Sequence, residues 1–295
     1  MINYSKTPIQ ELKCQLFEQQ GIRVLVKRED LNHPFVSGNK WWKLKYNLEE
    51  AVRLDHDVLL TFGGAYSNHI FATAAAGREL GLKTIGIIRG EEVSPLNHTL
   101  SFAESCGMKL HYISREAYRK KAELDFIKQL RDQFGNFYLI PEGGTNELAV
   151  KGCAEFAERL NNEIDFDYLC LSMGTGGTMA GMIEGMNSSK NLIGFSSLKG
   201  GEFLVEEIRR MTSPEKTNWS INSDYHFGGY GKATLELGNF MKEVNEKYQL
   251  PLDIVYNSKM FYGIMDLMKK DYFKRGSNLL VLHTGGLQGN SIGIT

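Results

Sequence analysis

Lys40 is the side chain with the most useful chemistry near the start of the sequence. It follows a loop that contains Pro34, Ser37 and Gly38, and it lies at the entry of a predicted helix that continues with two tryptophans. The positive end of a helix and burial beside tryptophan rings both lower the pKa of a lysine amine. Such an amine can attack a carbonyl carbon or remove a proton. Lysines are usually solvated, so Lys40 and its neighbour Lys43 need support from other segments.

A second segment with chemical potential is the glycine-rich turn SMGTGGTMAG at residues 172–181. Glycines let several backbone N–H groups point at one anion, and the helix that follows adds its positive end. Thr175 and Thr178 can add hydroxyl donors. The spacing matches neither the dinucleotide pattern nor a Walker A loop. The expected ligand is a phosphate monoester, and the alternative is a tight turn without a ligand.

A third turn, GGAYSNH, places Ser67 and Asn68 between a predicted strand and a predicted helix. Either residue could be a plain N-cap, which is a common role for both types. The functional interpretation is that both side chains face a ligand at the end of the sheet. His69 is a possible base, although a lone histidine more often has a structural role.

The elements that must position these turns alternate between short apolar runs and longer amphipathic ones. Strands are predicted at 22–26, 58–62, 84–88, 109–113, 137–140, 168–172, 191–195 and 279–283. Helices are predicted at 42–54, 67–80, 96–106, 115–134, 148–164, 178–187, 202–211, 233–248 and 258–270. This alternation predicts βαβ units and a mainly parallel sheet. Ligands of such sheets bind at the carboxyl ends of the strands, which indicates the loops after residues 62, 172 and 283.

The composition is ordinary for a globular protein, with 295 residues of which 42% are hydrophobic and 23% charged. A net charge of -1 without runs of like charge argues against nucleic acid or an anionic membrane as a partner. Four cysteines without a C-x-x-C pair argue against a zinc site, and no metal is expected. The N-terminus lacks the apolar core of a signal peptide, and no apolar run reaches ~18 residues. We therefore expect a cytoplasmic protein with free thiols and no membrane span.

Three segments together, VLVKREDLNHPFVSGNKWWKLKY, GGAYSNH and MGTGGTMAGM, resemble one enzyme family. It is the family of 1-aminocyclopropane-1-carboxylate (ACC) deaminase and D-cysteine desulfhydrase, which use pyridoxal 5'-phosphate (PLP). FGGYGKATLE, LDIVYNSKMFYGIM and HTGG agree in the same order, so the resemblance runs from about Pro8 to Gly289. It implies fold type II, the tryptophan-synthase-β type, which is an α/β, two-domain, three-layer fold with parallel-rich sheets. The expected large PLP-binding domain comprises residues 1–45 and 156–295, with a smaller α/β domain at 46–155 inserted, and the expected assembly is a homodimer.

The resemblance also assigns roles to individual residues. Lys40 matches the Schiff-base lysine, Lys43 a lysine near the phosphate, and Asn68 the partner of the cofactor's 3'-oxygen. The residues expected to bind the cofactor are Lys40, Lys43, Asn68, Gly174, Thr175, Gly176, Gly177, Thr178 and Thr284. The residues expected to act in catalysis on a small amino-acid substrate are Lys40, Ser67, Tyr230 and Tyr256. Ser67 matches a substrate-facing serine, and the two tyrosines match residues near the ring and the reacting atoms.

One position departs from the ACC deaminase pattern and bears on the reaction. Asn257 stands where ACC deaminases have a glutamate that meets the pyridine nitrogen, and Thr284 is the expected partner instead, as in the desulfhydrases. A pyridine nitrogen without a carboxylate suits β-elimination, because the leaving group takes the electrons. We therefore expect a lyase that resembles D-cysteine desulfhydrase. ACC deaminase, a PLP-binding protein without catalysis and an ordinary α/β domain are the alternatives.

Overall fold

The computed structural model describes residues 2–92 and 94–291 of the chain. Its strands are β1 (Ile9–Leu12), β2 (Arg23–Lys27), β3 (Val58–Gly64), β4 (Lys83–Arg89), β5 (Met108–Ile113), β6 (Tyr138–Ile140), β7 (Tyr168–Met173), β8 (Asn191–Ser196), β9 (Trp219–Asn222) and β10 (Asn278–Leu282). Its helices are α1 (Gln15–Gln20), α2 (Asn39–Arg53), α3 (Asn68–Leu80), α4 (His98–Ser105), α5 (Arg115–Arg119), α6 (Leu124–Phe134), α7 (Glu147–Glu163), α8 (Gly177–Gly185), α9 (Leu204–Arg209), α10 (Leu235–Tyr248) and α11 (Asn257–Lys269). Short 3-10 turns occur at Glu29–Leu31, Glu142–Gly144, Gly201–Phe203 and Leu287–Ser291.

The strands form two sheets. A six-stranded sheet has the order β1-β2-β10-β7-β8-β9, and a four-stranded sheet has the order β5-β4-β3-β6. Neighbouring strands are parallel throughout, except that β1 pairs antiparallel with β2. The parallel-rich α/β fold predicted from the sequence is therefore confirmed. Parallel sheets need helices on both faces, which explains the near-continuous apolar strands β7 and β10.

Helices α2, α7 and α8 pack side by side because glycines let their backbones approach closely. A Cβ on Gly152 of α7 would lie 2.1 Å from the carbonyl oxygen of Trp42, and one on Gly185 would lie 2.1 Å from that of Ala154. Trp42 stacks on Phe156, with ring centroids 4.6 Å apart. This packing places the N-terminal ends of α2 and α8 close to each other, and those ends carry the predicted lysine and the glycine turn.

The buried carboxylate of Glu29 fixes the chain before α2. It accepts hydrogen bonds from Trp42 Nε1 at 2.8 Å, Asn32 Nδ2 at 3.0 Å, Tyr4 Oη at 3.1 Å and Thr7 Oγ1 at 2.5 Å. Four donors on one carboxylate compensate for its removal from water, since a buried charge without partners is costly. Glu29 therefore joins the N-terminal segment, the loop at residues 32–38 that precedes Lys40 (the lysine loop) and the first turn of α2.

Gly38, directly before α2, is the position where the lysine loop touches the loop after β10. It has φ +66°, and a Cβ there would lie 1.9 Å from the carbonyl oxygen of Thr284. The same carbonyl accepts a hydrogen bond from the backbone N–H of Asn39 at 3.3 Å. Only glycine permits both the positive φ and this contact. The lysine loop is thus held against the carboxyl end of β10.

Some predicted elements differ in the structure. The single helix predicted at 115–134 is wrong, because the chain forms α5 and α6 with a turn between them. Tyr118, in α5, donates a hydrogen bond from its Oη to Glu142 at 2.8 Å, and Lys121, in the turn, pairs with the same carboxylate at 3.3 Å. Both contacts hold the turn against Glu142. The helix predicted at 202–211 is shorter and begins as a 3-10 turn. Strands β1 and β9 and helix α1 were not predicted.

The two predicted domain boundaries fall within α2 and α7, and the division into domains stays a prediction. None of the helices in the described residues has the length and the apolar run that crossing a bilayer requires. Among the same residues, no group of three or more His, Cys, Asp or Glu side chains is placed to hold a metal ion.

Candidate active site

A cavity of about 610 Å³ lies where the carboxyl ends of β3, β4, β7 and β10 meet the lysine loop. This volume suits a cofactor-sized ligand, since such sites commonly measure about 300–1,000 Å³. Most of the residues singled out in the sequence line it: Lys40, Lys43, Ser67, Asn68, Gly174, Thr175, Gly176, Thr178, Tyr230, Tyr256 and Thr284. Gly177 is the one predicted residue that is not part of the lining, and its role is to allow a close contact behind the turn.

Lys40 lies in the first turn of α2, half-buried at the cavity wall. Its amine donates a hydrogen bond to Asn39 Oδ1 at 3.0 Å, and Asn39 Nδ2 in turn donates to Thr178 Oγ1 at 2.8 Å. Loss of water around the amine lowers the pKa of Lys40 from 10.5 to about 8. About a tenth of this amine is therefore uncharged at pH 7, far more than for an ordinary lysine, and the uncharged form is the one that acts as a nucleophile or a base.

The glycine turn between β7 and α8 has the form of a phosphate-binding loop. Gly176 takes a left-handed conformation with φ +79°, and no side chain caps the N-terminus of α8. Lys43 donates to Thr145 Oγ1 at 2.9 Å and to Thr175 Oγ1 at 3.4 Å, so its amine reaches the turn. A Cβ on Gly177 would lie 3.2 Å from this amine and 2.8 Å from Thr145. Open backbone N–H groups, hydroxyls and an ammonium group fit a phosphate monoester.

The pKa of Lys43 is lowered to about 7, first by burial and then by the nearby charge of Lys40. Among the described residues neither amine forms an ion pair with a carboxylate, so the two amines are unfavourable as a charged pair. A bound phosphate would remove this conflict by supplying negative charge. The site is thus electrostatically incomplete without an anion.

Ser67 is the N-cap of α3, as one interpretation of the sequence predicted, and it also lines the cavity. Its Oγ accepts hydrogen bonds from the backbone N–H groups of His69 at 3.2 Å and Ile70 at 3.3 Å. The hydroxyl proton of Ser67 remains available to a ligand. Asn68 Oδ1 accepts from Gln288 Nε2 at 2.6 Å, which holds the amide beside the loop after β10.

His69 lies in the cavity wall as a neutral ring. Thr61 Oγ1 donates its single proton to the carbonyl of Ile140 at 2.8 Å, so it must accept one from His69 Nε2, also at 2.8 Å. His69 Nδ1 then carries a lone pair, and this buried atom has no hydrogen-bond partner among the described residues. Burial, then the charges of Lys43 and Lys40, hold the pKa of His69 well below its usual value. An orphaned acceptor in the wall is what a bound ligand would satisfy.

Tyr230 and Tyr256 meet edge to face at the cavity, with ring centroids 5.9 Å apart. Burial raises the pKa of Tyr256 well above 10, and the neighbouring tyrosine adds to this. Tyr256 therefore stays protonated at neutral pH, so it can supply a proton but cannot remove one. The loop that carries Tyr230 is anchored by Lys259, whose amine donates to the carbonyls of His226 at 2.9 Å and Gly229 at 2.8 Å.

Asn257 does not face the cavity, because its amide is fully engaged in the protein. Its Nδ2 donates to Asp253 Oδ1 at 2.5 Å and to the carbonyl of Gly285 at 2.8 Å. Its Oδ1 accepts from the backbone N–H and the hydroxyl of Thr284, at 3.1 and 3.2 Å. Asp253 is itself buried and also accepts from three backbone N–H groups at the start of α11. This network fixes Thr284 at the cavity wall.

Ser172 is a cavity residue that was not among the site residues predicted from the sequence. Its Oγ lies 3.1 Å from Thr284 Oγ1, and both side chains line the cavity. The polar groups at this end of the cavity are therefore hydroxyls. Its position as one of the last residues of a strand before a glycine turn was the available signal. Thr145 and Arg89 were also missed, because neither lies in a recognisable motif.

Comparison with known proteins gives a consistent result. Residues 2–285 match the family model described as pyridoxal-phosphate dependent enzyme. A putative ACC deaminase of Pyrococcus abyssi is 32% identical over 300 residues, covering 96% of this chain and 90% of that protein. A mitochondrial bifunctional D-cysteine desulfhydrase/ACC deaminase of Arabidopsis thaliana is 31% identical, covering 91% of this chain and 73% of that protein.

Solved structures agree with this result. The crystal structure of an ACC deaminase homologue superposes with a TM-score of 0.82 at 29% identity, covering 97% of this chain and 90% of that chain. A hydrogen sulfide-producing enzyme of Fusobacterium nucleatum superposes with a TM-score of 0.71 at 16% identity, covering 97% of each chain, which shows the shared fold alone. The fold is type II. The orphaned histidine nitrogen, the two amines and the open glycine turn also fit a phosphorylated aldehyde cofactor. This chain belongs to the family of pyridoxal-phosphate dependent enzymes, with ACC deaminase and D-cysteine desulfhydrase relatives.

Proposed function

We propose that this enzyme catalyses β-elimination from a small D-amino acid, in the manner of a D-cysteine desulfhydrase. The observation that carries the proposal is the hydroxyl pair of Ser172 and Thr284 at the cavity wall, with the Asn257 amide turned into the protein. The resemblance to the desulfhydrases implies that the pyridine nitrogen of the cofactor lies beside Thr284. A hydroxyl there leaves the nitrogen unprotonated more readily than a carboxylate does, and β-elimination needs less electron withdrawal than ring opening.

Different residues would hold different parts of the cofactor. Lys40 would carry it covalently, and Lys43 with the turn at 174–178 would bind its phosphate. Thr284 would face the pyridine nitrogen, toward which its hydroxyl proton would turn from Asn257, and Asn68 would face the 3'-oxygen. When bound, PLP supplies the delocalisation that accepts the electron pair left at the substrate α-carbon.

The protein's own groups move the protons. Lys40, with its lowered pKa, takes the α-proton as general base. Ser67 and Asn68 hold the substrate carboxylate at the N-terminal end of α3, where a negative charge is favoured. Tyr256, which stays protonated, donates a proton to the departing thiolate. One water molecule then releases ammonia, so that D-cysteine and water give pyruvate, ammonia and hydrogen sulfide.

The test is a panel of D-cysteine, L-cysteine, D-serine and ACC with the PLP-loaded enzyme, scored for ammonia, keto acid and sulfide. We expect pyruvate, ammonia and sulfide in equal amounts from D-cysteine, and loss of this turnover in Lys40→Ala. Lys45→Ala is the matched control, because Lys45 lies on the same helix but pairs with Glu155 outside the cavity. Undiminished turnover in Lys40→Ala would refute the assignment.

ACC deaminase is the second candidate, supported by the names of the Pyrococcus and Arabidopsis relatives. Formation of 2-oxobutyrate from ACC at the rate of D-cysteine turnover would establish it over the desulfhydrase. A protein that binds PLP and these amino acids but never releases ammonia would be a non-catalytic member of the family. We also propose a cytoplasmic homodimer, and light scattering of the purified protein tests the dimer.

A further inference from the structure

Arg89 is a cation on the cavity wall that the reaction described above does not use. It ends β4, and one of its terminal nitrogens lies 3.5 Å from where a Cβ on Gly64 would stand. The guanidinium therefore lies within van der Waals reach of Gly64, beside the turn that leads to Ser67. On its other side, the guanidinium carbon lies 5.6 Å from the centroid of the Tyr118 ring.

The other charged groups of the cavity wall already have partners. Lys121 pairs with Glu142 at 3.3 Å, and Tyr118 Oη also donates to Glu142, at 2.8 Å. Glu207 pairs with Arg210 at 2.8 Å. Lys40 and Lys43 are assigned to the cofactor. Within residues 2–92 and 94–291, Arg89 forms neither an ion pair nor a side-chain hydrogen bond, so none of these residues pairs with its charge.

The substrate's own carboxylate does not need Arg89. The hydroxyl proton of Ser67, the Asn68 amide and the positive end of α3 already provide donors for it. A guanidinium beside that position can instead bind a second anion with two parallel hydrogen bonds, which is the geometry it prefers with carboxylates. The Tyr118 ring lies within cation–π range of the guanidinium, which favours this position of the Arg89 side chain.

We propose that Arg89 recognises a second acidic group on the substrate, so that the preferred substrates are amino acids with a β leaving group and an additional carboxylate. This inference rests on the proposed function and specifies its substrate class. D-cysteine lacks the second acid and would be turned over with a higher KM than an acidic substrate of similar reactivity.

A matched pair of substrates isolates the second acid. O-acetyl-D-serine and O-succinyl-D-serine share the reacting atoms and differ by a terminal carboxylate. Each loses its α-proton to the enzyme and its carboxylate leaving group with the bonding electron pair. Water then releases ammonia, so that each gives pyruvate, ammonia and either acetate or succinate. The corresponding L-isomers are run in parallel.

The experiment compares wild type, Arg89→Gln and Arg89→Lys, all loaded with PLP. We expect wild type to show a lower KM for the succinyl ester, and Arg89→Gln to raise that KM by about tenfold, because a charge-assisted bidentate contact at an exposed site is lost. The KM for the acetyl ester should change by less than about twofold, which lies within the ordinary effect of a surface substitution. Arg89→Lys should recover part of the loss. Arg53→Gln, which removes an arginine paired with Glu50 outside the cavity, is the control.

A binding measurement separates failure of this inference from failure of the proposed function. The visible spectrum of the bound cofactor changes when an amino acid enters, which gives a dissociation constant without turnover. Tighter binding of the succinyl ester that is lost in Arg89→Gln supports the inference even if no ammonia forms, in which case only the proposed reaction fails. Equal affinity for both esters in wild type overturns the inference. An equal loss for both esters in Arg89→Gln also overturns it, because Arg89 would then bind the α-carboxylate.

Discussion

The affinity for PLP should fall as the pH rises above 7, because of Lys43. In the empty site the pKa of Lys43 is lowered to about 7 by burial and by the charge of Lys40. A phosphate dianion bound beside this amine favours its charged form and raises that pKa. Binding therefore takes up a proton above pH 7, and the dissociation constant must rise with pH. The limiting slope is about tenfold per pH unit.

The measurement uses Lys40→Ala, so that the cofactor binds without a covalent bond. This substitution also removes the second cause of the lowered Lys43 pKa, so the effect begins slightly above pH 7. With that allowance, we expect Lys43 by itself to weaken PLP binding roughly 30-fold between pH 7 and pH 9, seen as the difference from the variant that lacks this amine. The cofactor's phosphate titrates near pH 6 and contributes little to this interval.

Two further variants test the reasoning in the Lys40→Ala background. Lys43→Met should bind PLP weakly and with the small pH dependence of the cofactor's own groups. Lys43→Arg remains charged throughout the interval, so its affinity should also vary little with pH. Spectral titration at several pH values gives the dissociation constants. If the profile of Lys40→Ala runs parallel to that of Lys40→Ala/Lys43→Met, then Lys43 does not control the pH dependence and the reasoning is wrong.

Three other predictions concern buried polar groups. Glu29→Gln turns an amide toward donors and should lower the free energy of unfolding by about 1–3 kcal/mol, measured by urea unfolding. Glu50→Gln, which changes an exposed ion pair, is the control and should leave the urea midpoint nearly unchanged. Asp253→Asn should cost about 2–4 kcal/mol by the same measurement, since each oxygen accepts two hydrogen bonds. Lys259→Met releases the loop that carries Tyr230 and should therefore lower kcat about tenfold without weakening PLP binding. Lys269→Met, on the exposed side of the same helix, should leave kcat unchanged. An unchanged kcat in Lys259→Met would contradict the anchoring role of Lys259.

Much of the fold was predictable because its signals are local. Glycines that end helices and apolar runs that form strands marked most elements within a few residues. The broken helix at 115–134 was missed because its turn depends on Glu142, which is distant in sequence from Tyr118 and Lys121. Strand β9 lacks an apolar run, so only its pairing with β8 makes it a strand.

In the candidate site, too, residues in local motifs could be predicted and residues placed by distant contacts could not. Lys40, the glycine turn and Ser67 lie in motifs whose chemistry can be deduced from neighbouring residues. Arg89 could not be predicted, because its position in the cavity depends on the parallel register between β3 and β4, which sets Arg89 opposite Gly64. The orientation of Asn257 depends likewise on Asp253 and on the loop after β10.

The contact between Gly38 and Thr284 has a consequence for the order in which the molecule is completed. Strand β10 lies between β2 and β7 in the sheet, although it follows both in the sequence. During synthesis on the ribosome, β2 and the lysine loop emerge early. Their neighbours, β10 and Thr284, leave the exit tunnel much later. Contacts between such distant segments form slowly. The lysine loop cannot close before then, so capture of the cofactor should be a late event that follows the release of β10.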